Sequence, residues 1–188
     1  MIRTLLSAGL GLAGALVFAS LQPVLGPLPA SAAVLLVWTL LSGARHEMAL
    51  ARVAGRTAVV VSLLWRWQAL ARLAAAPLVL LPAALALPQA AMVALAWIAR
   101  PAPAGREFAA RLGSAEAIGA ILLGVVVAVS AGARLGWFAL SACTLLVFAL
   151  RRWCERRAGG VSRDMLGVLE QAAECVILTG AACQSCSW

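Results

Sequence analysis

The sequence predicts an all-α, polytopic integral membrane protein, a helical bundle of six to seven transmembrane helices forming a single membrane domain over residues 1–188. Three observations predict it. Hydrophobic residues make up 64% of the chain and charged residues 12%, with a mean hydropathy of +0.99. A globule of this length has too little interior to hide that much apolar surface, so lipid is the main solvent. The apolar residues also fall in runs close to the roughly 20 residues that cross a hydrocarbon core. Finally, the arginines lie between those runs and not along one face, so the net charge of +8 marks membrane topology and not nucleic-acid binding.

The first span is predicted over 4–21, where Ser7, Gly11, Ala15 and Ala19 recur every fourth residue. Such a stripe lets another helix approach closely where lipid removes the hydrophobic drive. A cleaved signal peptide is the rival reading, with Arg3 before the run and Ala30-Ser31-Ala32 as the cleavage site. A Pro/Gly-rich turn, Gln22 to Pro29, leads to a second span over 28–44, and Ser42 to Arg56 forms a first polar joint. The chain then stays apolar for longer than one helix needs. It is expected to fold back at Pro77 and Pro82, giving spans over 57–75 and 80–99 with a kink at Pro88.

A second polar joint, Arg100 to Gly113, carries Arg106, Glu107 and Arg111 and reads as a loop or surface helix. Span five covers 114–132, with small residues at Gly124, Ala128 and Gly132, and span six covers 135–150. A third joint, with Arg151, Arg152, Glu155, Arg156, Arg157 and Arg163, precedes the last span over 165–182. Positive residues in short loops are retained in the cytoplasm, so Arg3 and the three joints place the N-terminus and polar loops there. Trp97, Trp137 and Trp153 fall at span ends, where an aromatic belt belongs.

Two features inside the spans call for partners. Arg66 lies midway along the third span, where an ionisable group costs about 2.5–3.5 kcal/mol on insertion scales and should face a partner or a wet cavity. Glu170 and Glu174, four apart on one helix face, are the expected partners, and snorkelling between Trp65 and Trp67 is the alternative. The five cysteines include Cys183-Gln-Ser-Cys186, whose spacing suits a disulfide or, more weakly, a metal, whereas Cys143, Cys154 and Cys175 read as small apolar residues.

The first joint holds the chain's only histidine. Its Gly43-Ala44, His46-Glu47, Leu50-Ala51 and Val53-Ala54 resemble the signature loop of the bacterial cobalamin synthase family, adenosylcobinamide-GDP ribazoletransferase. Gly159-Gly160, Asp164, Leu166-Gly167, Gln171, Glu174 and Leu178 are similar to the family's C-terminal pattern of paired glycines, a Gly-Asp step, a Leu-Gly step and a late glutamate. Between them, the segments 63–70 and Ala99-Arg100-Pro101 are similar to family segments in the same order. The resemblance implies a magnesium-dependent enzyme of the late cobalamin pathway that joins α-ribazole or its phosphate to adenosylcobinamide-GDP and releases GMP. Magnesium takes hard oxygen ligands in an octahedron, and in the family aspartates of the signature loop supply them.

Here Met48, Arg52 and Gly55 stand at those aspartate positions, and Arg163 stands where the family has the glycine before Asp164. The chain has seven acids, and Asp164 is its only aspartate. By the resemblance, the catalytic candidates are His46, Glu47 and Asp164, and the Mg2+ candidates are Glu47, Asp164 and Glu174, although the lost aspartates put a metal in doubt. Arg45, Arg52 and Arg100 are the candidates for holding phosphate oxygens. Two functions are expected from different classes. One is a divergent ribazoletransferase; the other is a non-catalytic helical scaffold that self-associates or joins other membrane subunits.

Overall fold

The computed structural model describes residues 2–73, 77–102 and 112–185. Among them the backbone forms eight helices: α1 (Ile2–Leu25), α2 (Pro27–Ser42), α3 (Arg45–Ala54), α4 (Arg56–Ala71), α5 (Pro77–Ile98), α6 (Ser114–Ser130), α7 (Ala133–Arg157) and α8 (Arg163–Ser185). Arg106, Glu107, Arg111 and Cys186 lie outside the described residues.

The chain is an all-helical, multi-pass membrane protein, with fewer spans than the sequence predicts. Thr4–Leu25, Leu78–Ile98, Ala133–Arg157 and Arg163–Cys183 are long and apolar enough to cross a membrane, and α2 with α3 makes a fifth only if a pair bent by 89° counts as one broken span. The expected six to seven exceed this because α2, α4 and α6 have only 16, 16 and 17 residues. Those lengths are at or below the lower limit of about 17 residues for crossing.

Boundaries shift for local reasons. The turn expected over Gln22–Pro29 contracts to Gly26, because α1 continues through Pro23 and Pro27 opens α2 at a position where its missing N–H costs nothing. Pro82 does not mark a bend: α5 runs from Pro77 through both Pro82 and Pro88. Helix α7 extends through the third arginine joint as far as Arg157, and an Arg151–Glu155 pair, 3.0 Å apart, bridges one turn of that extension.

Helix α5 is the central element. It packs against α1, α6, α7 and α8, and 72% of its apolar window is buried, against 28% for α1 and α7. Small residues set these approaches. A Cβ on Gly11 would lie 2.5 Å from Pro82 Cα, and one on Gly124 would lie 2.5 Å from Ala90 Cβ, so α1 and α6 meet α5 at glycines of the two predicted stripes. Trp97, Trp137 and Trp153 are all exposed, as the belt reading requires.

Candidate active site

The site begins at the end of α2. Gly43 takes the left-handed conformation (φ +65°), and its N–H donates to Leu40 O (3.1 Å) while that of Ala44 donates to Thr39 O (2.9 Å). This pair of bonds is a Schellman turn, which satisfies the last carbonyls of α2 and redirects the chain. Helix α3 therefore leaves at 89° to α2. It packs on α8 at Gly167, where an added Cβ would lie 2.7 Å from Ala49 Cβ. That contact brings His46 and Glu47, in the first turn of α3, over the polar face of α8.

Three helices then supply one buried cluster. From α4, Arg66 is 3% exposed; its Nη1 donates to Glu174 Oε2 (2.8 Å) on α8 and its Nη2 to Glu47 Oε1 (3.0 Å) on α3. Gln171 Nε2 donates to the same Glu47 oxygen (3.2 Å), and Ser62 Oγ, one turn before Arg66, donates to Gln171 Oε1 (2.9 Å). His46 Nδ1 lies 3.1 Å from Glu170 Oε2. Burial acts to raise the Glu47 carboxyl, but the hydrogen bonds from Arg66 and Gln171 and the Arg66 charge outweigh it and hold the carboxyl below its ordinary range. Two atoms of the cluster, Glu47 Oε2 and Arg66 Nε, are buried with no hydrogen-bond partner among the described residues.

Arg66 thus faces inward to partners and does not snorkel. Of its two expected partners, Glu174 is one, and Glu170 stands beside His46. Glu47 was not anticipated in that role.

Above the cluster is a cleft of about 650 Å³, whose polar lining includes Arg45, Arg52, Arg163, His46, Asp164 and Gln89. A small cavity of about 40 Å³ at the cluster, lined by Glu47, Arg66, Glu170, Gln171 and Glu174, shares Ser7, Leu10, Ser42 and His46 with the cleft. His46, whose side chain is 28% exposed, is therefore common to both spaces.

The remaining expected site residues separate. Asp164 lines the cleft, bound to Arg52 through Nη1–Oδ1 (3.1 Å), and is not a member of the Glu47–Glu174 cluster. Arg100 does not line the cleft. Its carbonyl accepts from Val161 N–H (2.8 Å), and Ala102 N–H donates to Val161 O (3.0 Å), a short parallel bridge that holds this segment against the loop before α8. Gly160 permits that bridge, since a Cβ there would meet Ala102 N at 2.7 Å and Arg100 O at 2.8 Å. Reasoning from the sequence also missed Arg163 and Gln89 as cleft residues. A glutamine buried in the apolar helix α5 was the available signal for the latter.

Magnesium, which the family resemblance implies, does not fit these donors. Glu47 Oε1 and Glu174 Oε2 are already bonded to Arg66 and Asp164 is bonded to Arg52. No group of three or more His, Cys, Asp or Glu able to hold a metal occurs among the described residues.

In comparison with known proteins, the family described as Cobalamin-5-phosphate synthase matches residues 52–182. No curated protein and no solved structure matches the chain. The match takes in Arg52, Arg66, Asp164, Gly167, Gln171 and Glu174, and it starts just after His46 and Glu47, which the fold carries to the same cluster. It covers well over half of the 188 residues, and the chain belongs to the cobalamin-5-phosphate synthase family.

Proposed function

We propose that this protein acts in cobalamin biosynthesis as a ribazoletransferase, binding the diphosphate-bearing adenosylcobinamide-GDP in the cleft and joining it to α-ribazole or its phosphate with release of GMP. The observation that carries this reading is the convergence of Arg45, Arg52 and Arg163 on one cleft with His46 at its floor. Guanidinium groups suit phosphate oxygens because their planar donors bind two at a time. His46, open to the cleft and oriented by Glu170, is placed to take the proton from the attacking hydroxyl as GMP departs. The arginine-rich joints face the cytoplasm of a bacterial inner membrane by the positive-inside rule.

A second reading has its own support. Met48 and Arg52, at two of the family's aspartate positions, both line the cleft, so its acidic wall has become apolar and basic. A non-catalytic scaffold would bear such changes without cost.

Turnover of adenosylcobinamide-GDP and α-ribazole by the purified protein in lipid tests the two. The transferase reading expects GMP release that His46→Ala lowers by about 10²–10⁴-fold. GMP release absent from the native chain and restored in Met48→Asp/Arg52→Asp would leave the scaffold reading. Gly55 is best left unchanged in that variant, because its φ of +87° strains any aspartate placed there.

A further inference from the structure

We propose that Arg66 is the resident cation of this site: its guanidinium occupies the carboxylate pair Glu47–Glu174 in place of a divalent ion, so this pair holds no metal. The inference deepens the reading of the cleft as a reaction site, but its test reads metal binding and stability, so each can fail without the other.

Three observations support it. The first is occupancy. Arg66 Nη1 and Nη2 sit 2.8 and 3.0 Å from carboxylate oxygens of Glu174 and Glu47, and the arginine side chain is 4% exposed, so the two acids are bridged by a cation that the chain itself provides. A guanidinium is always charged and cannot leave, so it neutralises the pair under all conditions in which the fold persists.

The second is space. A magnesium ion needs six oxygen ligands at about 2.0–2.1 Å and usually keeps several waters. The small cavity at the cluster, about 40 Å³, is lined by both carboxylates together with the Arg66 side chain that bridges them. One water there would serve the two orphaned atoms, donating to Glu47 Oε2 and accepting from Arg66 Nε. The position between the two bonded carboxylate oxygens, where a bridging cation would sit, is filled by the guanidinium itself.

The third is the pattern of acids. The loop positions where the family has aspartates are Met48, Arg52 and Gly55, and the remaining aspartate, Asp164, is bonded to Arg52. The Glu47–Glu174 pair and Asp164 are thus each met by an arginine of the chain, while Glu170 stands beside His46. At the pair and at Asp164, a fixed positive charge of the chain offsets the carboxylate charge.

The experiment is a Mn2+ titration of the full-length protein in detergent, followed by electron paramagnetic resonance and by thermal melting. The wild type is expected to take up no Mn2+ that Glu174→Gln or Glu47→Gln abolishes, and its melting temperature is expected to stay constant with Mn2+. Arg66→Gln, which leaves two buried carboxylates unpaired, is expected to melt roughly 10 °C lower. Millimolar Mn2+ should recover part of that loss, as should adding Glu47→Gln and Glu174→Gln together. Stoichiometric Mn2+ uptake by the wild type that Glu174→Gln removes would overturn the proposal. That result can be read whether or not Arg66→Gln accumulates as folded protein.

Discussion

Two of the arginine–carboxylate pairs between helices, Arg66–Glu174 and Arg52–Asp164, have similar geometry and very different surroundings. Arg66–Glu174 (2.8 Å) has side-chain exposures of 4% and 6%, whereas Arg52–Asp164 (3.1 Å) has 65% and 36%. The exposed pair sits at the cleft wall, screened by solvent, and Arg52 is free to exchange Asp164 for another anion. The buried pair has no such freedom. Removing either member strands a charge away from water, so its role, with Glu47 bonded to the same arginine, is to fix three helices in one arrangement. Distance alone does not distinguish a binding group from a structural one; burial does.

Substitutions can break this contrast or sharpen it. The largest effect is expected at the buried pair, where Glu174→Ala should destabilise the fold by about 3–5 kcal/mol. Replacing Arg66, Glu47 and Glu174 together with apolar residues should cost less than Glu174→Ala alone, as melting of the two variants in one detergent would show. Next is Gly167→Val, which forces α3 away from α8 at Ala49 and should cost about 1–3 kcal/mol. It should also lower turnover, because His46 and Glu47 move with α3. If melting is unchanged, α3 is not held by that contact.

An acid titration gives a smaller effect of known sign. The Glu47 carboxyl is held below its ordinary range in the fold, so its contribution is fully present above the unfolded value and is lost as pH falls through the folded one. Melting temperature should therefore drop on acidification below the ordinary carboxylate range, and Glu47→Gln should flatten that part of the profile. The smallest effect is expected at the cleft wall. Arg52→Gln should change stability by less than about 1 kcal/mol while weakening binding of a phosphate-bearing substrate. A loss comparable to that of Glu174→Ala would erase the contrast between the two pairs.

Much of the fold was legible because lipid as solvent makes apolar runs and arginine joints explicit. The demand of Arg66 for a partner, and Glu174 as one, could be read from spacing and cost alone. Glu47 as the second partner could not. It depends on the 89° turn at Gly43-Ala44, set by two backbone bonds whose direction no periodicity encodes. That Arg100 lies away from the cleft lining has a similar reason. Its position follows from backbone pairing with Val161, 61 residues away in the chain, while its side-chain type suggested phosphate. The span count ran high because hydropathy marks where helices are apolar, whereas α2, α4 and α6 stop short for reasons of packing and turn chemistry.

The order in which the chain is made gives the cluster a history. Glu47 precedes Arg66 by 19 residues, but Glu174 follows it by 108. At the usual 5–20 residues per second, roughly 5–20 s pass between synthesis of the arginine and of its second carboxylate. During that interval Glu47 is the only one of the two carboxylates bonded to Arg66 yet made. Arrival of the last helix is the event that closes the site, so the N-terminal helices must wait in the membrane with an incomplete core until α8 inserts.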